Sequence, residues 1–263
     1  MAIRVGVFGA GGRMGSTVCR AVDDAEDLEL VAAVDPQHHG LDLRQVTGCD
    51  LSLEVASTAD AFVHAEAEVV VDFTEVTAAR SNLAWLAEHG IHAVVGTTGF
   101  TDEDIATFRS AFTSSNCIIA PNFAIGAVLM MRFSELAAPF FDTAEIIEMH
   151  HESKLDAPSG TAMLTAARMA EASGEWLADP TTNEVVLGAR GGAGPAGIRV
   201  HAVRTRGAVA HQEVILGTTG QSLTIRHDSY DRSSFMPGVL LGVRQVPHRP
   251  GLTIGLEPLL GLA

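Results

Sequence analysis

The first half of the chain alternates short apolar runs with longer segments in which apolar residues recur at helical spacing. The runs are rich in β-branched residues and bounded by turn formers, which predicts strands at Ile3 to Phe8, Leu28 to Val34, Glu68 to Phe73, His92 to Gly96 and Cys117 to Ala120. The segments between them predict helices at Met14 to Val22, Ala78 to Glu88 and Asp102 to Phe112, with Thr101 as a possible N-cap. This alternation is typical of a Rossmann-type, doubly wound parallel sheet.

After Asn122 the pattern changes to a helix, a strand, a helix and then several strands in succession. The expected helices are Ala127 to Ala138 and Gly160 to Ala172, and the expected strands are Glu145 to His150, Ile198 to Thr205, Ala208 to Leu216 and Ser222 to Asp228. Leu187 to Gly197 is predicted to be a loop. Strands joined without helices indicate an open mixed sheet in a second, α+β domain.

The end of the chain predicts a helix at Phe235 to Val246 and an apolar tail, Leu252 to Leu262, that returns to the first domain. We therefore expect an α/β protein of two domains. Residues 1–127 and 234–263 would form the dinucleotide-binding domain, and residues 128–233 would form the substrate-binding and oligomerisation domain.

Charge and cysteine content narrow the classes of partner. The 263 residues carry a formal net charge of −15, which opposes binding to nucleic acid and to anionic membranes. A small molecule is therefore the expected partner. Cys19, Cys49 and Cys117 are widely spaced, with neither a zinc motif nor a disulfide framework, so we expect reduced thiols in the cytoplasm and no metal. The apolar start of the chain is too short for a signal peptide and predicts a buried strand.

A glycine-rich turn follows the first predicted strand: Gly9, Ala10, Gly11, Gly12, Arg13, Met14 and Gly15. Its glycines satisfy GxxGxxG rather than GxGxxG, and a strand, turn and helix in this order suit a pyrophosphate. Asp35 ends the second strand, where an acid binds the adenine-ribose hydroxyls and disfavours a 2′-phosphate. Pro36 and Gln37 supply no guanidinium beside it, although Arg13 is available on the glycine turn. NADH or NADPH is therefore expected, with the preference open.

Two later strand ends fall where the nicotinamide half of the cofactor is expected. They are Gly96, Thr97, Thr98 and Gly99, and Ala120, Pro121, Asn122 and Phe123. Threonine and glycine are also common turn formers, so it is their order along the chain that favours a binding role.

The segment Glu148 to Ala162 carries the most chemistry. It places His150, His151 and Lys154 before a Ser-Gly-Thr helix start at Ser159, Gly160 and Thr161. Imidazole titrates near neutral pH and suits proton donation, while an ammonium and helix-start N–H groups suit carboxylates. Each of these residues taken alone is also compatible with a structural role, such as an N-cap. Together they predict a site that binds and protonates an anion.

This segment, HHxxKxDAPSGTA, resembles the signature of the 4-hydroxy-tetrahydrodipicolinate reductase (dihydrodipicolinate reductase) family. The glycine turn, Gly96 to Phe100 and Ala120 to Phe123 are similar to other blocks of that family, in the same order, and the resemblance extends from residue 3 to about residue 260. It implies that this chain reduces 4-hydroxy-tetrahydrodipicolinate, a cyclic dicarboxylate, to tetrahydrodipicolinate with loss of water, in the diaminopimelate and lysine biosynthetic pathway. It also implies a homotetramer.

The resemblance implies roles for individual residues. His150 would be the acid-base residue and Lys154 the second proton donor, while His151, Ser159, Gly160, Thr161 and Arg232 would bind substrate, Arg232 having helix capping as its alternative role. Cofactor contacts would come from Gly9, Ala10, Gly11, Gly12, Arg13, Met14, Asp35, Gly96, Thr97, Thr98, Ala120, Pro121, Asn122 and Phe123. The residues after Asp35 depart from the family, some members of which have a basic residue there for NADPH.

Two rival functions remain open from the sequence. Another two-domain dehydrogenase of aspartate-family metabolism would share the glycine turn and Asp35 but would not require the segment from His150 to Ala162. A non-catalytic dinucleotide sensor would require the first domain alone. Loss of nicotinamide absorbance on adding substrate discriminates both from the reductase.

Overall fold

A computed structural model describes residues 2–262. They form two compact units: the first contains the residues up to Phe123 and those from Phe235 onwards, and the second is Ala124–Ser234. The sequence-based boundaries, 127/128 and 233/234, and the role given to each domain remain predictions. Among residues 2–262, no helix combines the length and apolar character that a membrane span requires.

The first unit begins with five strands and five helices in near-regular alternation. The strands are β1 (Ile3–Phe8), β2 (Leu28–Val34), β3 (Val69–Asp72), β4 (His92–Val95) and β5 (Cys117–Ile119). The helices are α1 (Arg13–Asp23), α2 (Leu43–Thr47), α3 (Asp60–His64), α4 (Val76–Glu88) and α5 (Asp102–Ala111). Thr101 caps α5, since its hydroxyl accepts from the Asp104 N–H while the Asp104 carboxylate accepts from the Thr101 N–H.

The second unit begins with α6 (Ile125–Ala137), β6 (Thr143–His150) and α7 (Gly160–Ala172). Four further strands follow: β7 (Gly192–Ala193), β8 (Arg199–Arg204), β9 (Ala210–Thr218) and β10 (Gln221–Ser229). The chain then returns to the first unit with α8 (Met236–Gln245) and β11 (Leu252–Ile254).

Six strands of the first unit form one parallel sheet in the order β11-β5-β4-β3-β1-β2. The strand order reverses between β1 and β3, and ligands of doubly wound sheets bind outside the carboxyl ends of the strands at such a point. Val69 to Val71 and Ala93 to Val95 are nearly inaccessible, as expected for central strands covered by helices on both faces. The fold places any dinucleotide site beside β1, β2 and β3.

The second unit contains a mixed sheet in the order β10-β9-β6-β8-β7, in which β6 and β8 are parallel and the other pairs antiparallel. One face of this sheet packs on α7, through Ile146, Val214 and Leu216 against Ala166 and Met169. Because successive residues of a strand point to opposite faces, Ile146, Glu148 and His150 share this covered face.

The predicted fold class and element order are confirmed, with most boundaries shifted by one or two residues. Helices α2 and α3 were missed because each has five residues, too few for a helical period to emerge. The predicted loop Leu187 to Gly197 contains β7, whose two residues, Gly192 and Ala193, carry no strand signal but pair with β8. The apolar tail returns to the first unit as predicted, since β11 pairs with β5.

Candidate functional site

The glycine turn after β1 has the backbone of an anion-binding loop. Gly9 has a φ of +65°, a conformation that favours glycine, and Gly12 is the N-cap of α1. A Cβ on Gly15 would lie 2.0 Å from the Gly9 carbonyl oxygen, so only a glycine lets the helix pack this closely on the turn. The first N–H groups of α1 have no partner within the helix and therefore suit a pyrophosphate.

A cavity of about 700 Å³ opens beside this turn, at the ends of β1, β2 and β3. Of the predicted cofactor contacts, it is lined by Gly9, Gly11, Gly12 and Asp35. Among the other lining residues are His38, Phe73, Thr74 and Asn82, which the sequence patterns did not identify. Phe73 and Thr74 follow β3, so the strand-end argument used for β4 and β5 identifies them equally well.

The Asp35 carboxylate is buried and already oriented. Its Oδ2 accepts from the Gly11 N–H at 2.8 Å and its Oδ1 from the Gln37 N–H at 2.9 Å. The His38 Nδ1 lies 3.2 Å from the same carboxylate, and the ring packs against Gly11. Each carboxylate oxygen has a second lone pair, so Asp35 can still accept a ribose hydroxyl. The cavity, the glycine turn and this carboxylate fit an adenine dinucleotide.

A buried carboxylate, Asp72, organises the ends of β3 and β4. Its Oδ1 accepts from the Thr74 N–H and hydroxyl, both at 2.7 Å, and from the Thr97 hydroxyl at 3.3 Å. Its Oδ2 accepts from the Asn82 amide at 2.7 Å. Thr97 is thereby fixed and buried, while Thr98 is exposed. The predicted threonine contacts therefore lie at a strand end whose geometry is held by hydrogen bonds.

The remaining predicted cofactor residues occupy varied positions. Gly96 follows β4, and Ala120, Pro121, Asn122 and Phe123 follow its neighbour β5, but none of these lines the cavity. Phe123 is 1% exposed and packs against Phe73, so its side chain belongs to the core. Ala10 is buried, whereas Arg13 is exposed at the start of α1. Their contacts with a cofactor remain predictions.

In the second unit, Glu148 is the centre of the candidate catalytic cluster. This carboxylate is inaccessible and forms two hydrogen bonds of 2.8 Å with the Arg204 guanidinium. It also contacts the His150 Nδ1 at 2.6 Å and accepts from the Ser159 N–H at 3.1 Å. One side chain therefore joins the end of β6, the end of β8 and the start of α7. Glu148 was not among the site residues predicted from the sequence, although residues i and i+2 of a strand share a face.

Burial and charge set the protonation of this cluster. Burial would raise the pKa of Glu148, but the hydrogen bonds from Arg204 and His150 outweigh it and hold the pKa below its usual value. Burial lowers the pKa of His150, and the charges of Lys154 and Arg204 add to this effect against the opposing influence of Glu148. At neutral pH the cluster therefore pairs an ionised carboxylate with a neutral imidazole.

Lys154, the other predicted catalytic residue, and most of the predicted substrate-binding residues lie along the loop and helix that follow β6. The Lys154 ammonium donates to the Asp156 carboxylate at 2.7 Å, and the His151 ring contacts the Ser153 hydroxyl at 2.8 Å. Ser159 is the N-cap of α7, its hydroxyl accepting from the Ala162 N–H at 3.2 Å. Gly160 and Thr161 are the first residues of α7, where N–H groups lack partners within the helix.

Arg232 is not brought into this cluster. It begins a short 3-10 turn, Arg232–Phe235, and its side chain is exposed. Within residues 2–262, no hydrogen bond or ion pair connects it to His150, Lys154 or the start of α7, and none shows it capping α8. Both roles considered for it remain without support in the structure.

The two units differ in chemistry. The first has a cavity and turn suited to a dinucleotide, and the second gathers cationic groups, an oriented imidazole and a helix start suited to a carboxylate. These features are those of a nicotinamide-dependent oxidoreductase.

Comparison with known families identifies the group of proteins. The dihydrodipicolinate reductase N-terminus model matches residues 3–123, and the dihydrodipicolinate reductase C-terminus model matches residues 126–260. The chain belongs to the dihydrodipicolinate reductase family.

Individual relatives agree with this placement over the full chain. The 4-hydroxy-tetrahydrodipicolinate reductase of Nocardia farcinica is 51% identical, with 100% of both chains covered. That of Cutibacterium acnes is 51% identical over 99% of each chain. A dipicolinate-bound dihydrodipicolinate reductase from Paenisporosarcina has a TM-score of 0.86 at 41% identity, covering 98% of this chain and 99% of that one.

Proposed function

We propose that this protein reduces 4-hydroxy-tetrahydrodipicolinate to tetrahydrodipicolinate, with loss of water, using NADH or NADPH in diaminopimelate and lysine biosynthesis. The observation that carries the proposal is the cluster of His150, Lys154, Arg204 and the start of α7 around one buried carboxylate. Neither a dinucleotide sensor nor a dehydrogenase that lacks this segment accounts for it.

Substrate recognition follows from the charges near α7. The ammonium of Lys154 and the N–H groups of Gly160 and Thr161 suit a carboxylate, and His151 is exposed beside them. Apart from its chain neighbours and the nearby backbone of its own helix, a Cβ on Gly160 would meet no atom of the described residues within 4 Å, so a carboxylate can approach the backbone closely there. The Paenisporosarcina relative binds dipicolinate, an aromatic ring dicarboxylate, and we infer a cyclic dicarboxylate here.

The protein's own residues would orient the reactants and move protons. Holding the reacting groups in place removes most of the entropic barrier, and the cationic groups stabilise negative charge as it develops. Bound nicotinamide supplies the hydride. His150 would deliver the proton through its ring, with Lys154 as the second donor and carboxylate partner. His150 is neutral before substrate binds, and a bound dianion beside it favours protonation of the ring.

NADH is expected to be used at least as well as NADPH. Asp35 places a negative charge in the cavity where a 2′-phosphate would bind. The described residues that line this cavity include no lysine or arginine, and His38 is the basic group among them.

We also propose a homotetramer in the cytoplasm. The face of the second sheet opposite α7 presents Ile147, Met149 and Ile215, which are only half-buried within one chain and suit burial by other copies. Cys19, Cys49 and Cys117 are buried free thiols, compatible with a reducing compartment. Light scattering during size-exclusion chromatography measures the mass, and a monomer would contradict the tetramer.

The direct test of the proposed function follows nicotinamide absorbance with enzymatically generated 4-hydroxy-tetrahydrodipicolinate. The expected result is oxidation of NADH or NADPH in proportion to substrate added. Oxidation of the nicotinamide cofactor on adding aspartate semialdehyde instead would favour another dehydrogenase of aspartate-family metabolism. Cofactor binding without turnover of any substrate would favour a sensor.

A further inference from the structure

Glu148 and His150 form a pair whose geometry is fixed by the strand that carries them. They are two residues apart on β6, so their side chains share the face that packs on α7. The Glu148 Oε2 lies 2.6 Å from the His150 Nδ1. An ionised carboxylate can only accept hydrogen bonds, so the proton between them resides on Nδ1.

The carboxylate is itself held by two other groups. Arg204, which pairs with His150 across the parallel β6 and β8 strands, contacts one Glu148 oxygen with each terminal nitrogen. The Ser159 N–H donates to Oε1 from the start of α7. Arg204 also donates to the Asp156 carbonyl oxygen at 2.7 Å, which ties the loop that carries Lys154 to the same group. Glu148 therefore cannot turn away from His150 without breaking several charge-assisted bonds.

With Nδ1 engaged, the other ring nitrogen is the one available for proton exchange. Within residues 2–262, no hydrogen bond of the protein engages the His150 Nε2, and the side chain is 16% exposed. In the neutral ring this nitrogen carries a lone pair. The charged groups that act on the ring are Glu148 from its own strand, Arg204 from β8 and Lys154 from the following loop, and its neighbour on β9 is Ala210.

We propose that Glu148, anchored by Arg204, is the positioning residue of the active site: it fixes the Nδ1–H tautomer of His150 and leaves Nε2 as the atom that exchanges the proton with substrate. The role in turnover rests on the proposed function, but the tautomer of the free protein does not. Partners of this kind fix the ring orientation of metal-bound histidines, where their loss lowers metal affinity or activity about 10- to 100-fold, and we expect a similar loss of turnover here.

The pair also makes a prediction that a purely structural contact does not. Replacing Glu148 by Gln removes the negative charge that favours the imidazolium, so the pKa of His150 should fall further. Replacing Arg204 by Gln removes a repelling positive charge, so the pKa of His150 should rise. Opposite shifts of the His150 pKa in the two variants would show that the charges of Glu148 and Arg204 both act on the ring.

Nitrogen NMR of 15N-histidine-labelled full-length protein, without substrate, measures the tautomer and the pKa of His150, and steady-state kinetics measures turnover. Wild type should show His150 protonated on Nδ1, and Glu148→Gln should mix the tautomers and lower turnover about 10- to 100-fold with unchanged cofactor affinity. The double variant Glu148→Gln/Arg204→Gln leaves no buried charge unpaired, so it preserves a folded protein if a single variant unfolds. It should lose the single tautomer as well.

Glu145 provides the matched control. It lies on the same strand and contacts an arginine and a histidine, Arg190 and His201, by the same types of bond. Glu145→Gln should alter the His201 signals and leave the His150 tautomer and turnover unchanged.

Two results would overturn the proposal. One is a wild-type ring protonated on Nε2 in the neutral form; the other is a folded Glu148→Gln or double variant with the wild-type tautomer and turnover. A wild-type protein with the predicted tautomer but no reductase activity would instead refute the proposed function, so the two failures are distinguishable.

Discussion

Gly160→Ala tests the substrate site with the smallest possible change. Gly160 is the first residue of α7. Apart from its chain neighbours and the nearby backbone of α7, a Cβ placed there would meet no atom of the described residues within 4 Å. Its φ lies outside the left-handed region, so alanine is compatible with the backbone. The added methyl group therefore disturbs only a ligand that approaches the helix start.

The expected magnitudes separate stability from binding. An alanine in place of a compatible glycine changes the free energy of unfolding by about 0.4–1 kcal/mol in favour of the folded state. A methyl group between a carboxylate and the helix start removes a charge-assisted hydrogen bond, a loss of about 1.5–3 kcal/mol. This corresponds to a roughly 10- to 100-fold decrease in kcat/KM, expressed mainly in the KM for substrate.

Steady-state kinetics with urea unfolding in parallel measures both effects. Gly174→Ala is the matched control, because Gly174 follows α7 and also has open space at its Cβ position and no positive φ. Gly174→Ala should raise the free energy of unfolding about as much as Gly160→Ala does, and its KM for substrate should equal that of the wild type. A Gly160→Ala protein that is stabilised as expected but has an unchanged KM would refute a carboxylate site at the start of α7.

Three further substitutions test the remaining roles. Asp35→Ala should weaken NADH binding more than NADPH binding, measured by quenching of nicotinamide fluorescence, and a wild-type protein that strongly prefers NADPH would show that another group outweighs the carboxylate. Lys154→Ala should raise the KM for substrate about 10- to 100-fold at unchanged cofactor affinity, and equal weakening of the cofactor would contradict separate binding elements. His150→Gln should lower turnover about 10²- to 10⁴-fold. The imidazolium is the donor and burial lowers the pKa of His150, so wild-type kcat/KM should fall as pH rises through a value below the usual pKa of about 6.5. This fall in kcat/KM should be absent from His150→Gln. If it persists in the variant, the donor role moves to Lys154 or water.

Local patterns predicted most of the fold because strand and helix periods are local properties. The ends of β1 and β2 and both ends of α7 were predicted to the residue, since apolar runs, turn residues and Ser159 mark them. Helix α3 was not predicted, because five residues are too few for a helical period to emerge, and its buried Phe62 packs beside the distant Gly6.

The site was predicted less completely, for a physical reason. His150 and Lys154 are recognisable from residue type and spacing, but their environment depends on partners remote in sequence. Arg204 reaches Glu148 across 56 positions, and Thr97 reaches Asp72 across 25. No local pattern predicts such pairs, whereas the period of two along β6 would have placed Glu148 beside His150.

The central claim is that this chain transfers a hydride to a cyclic dicarboxylate that loses water. The most direct measurement is the mass of the product formed from 4-hydroxy-tetrahydrodipicolinate and NADH deuterated at the transferred position. The account predicts a product that has lost one water and gained one cofactor deuterium and one solvent proton, with an equal amount of NADH oxidised. A product that retains the hydroxyl or carries no deuterium, or no reaction with either NADH or NADPH, would contradict it.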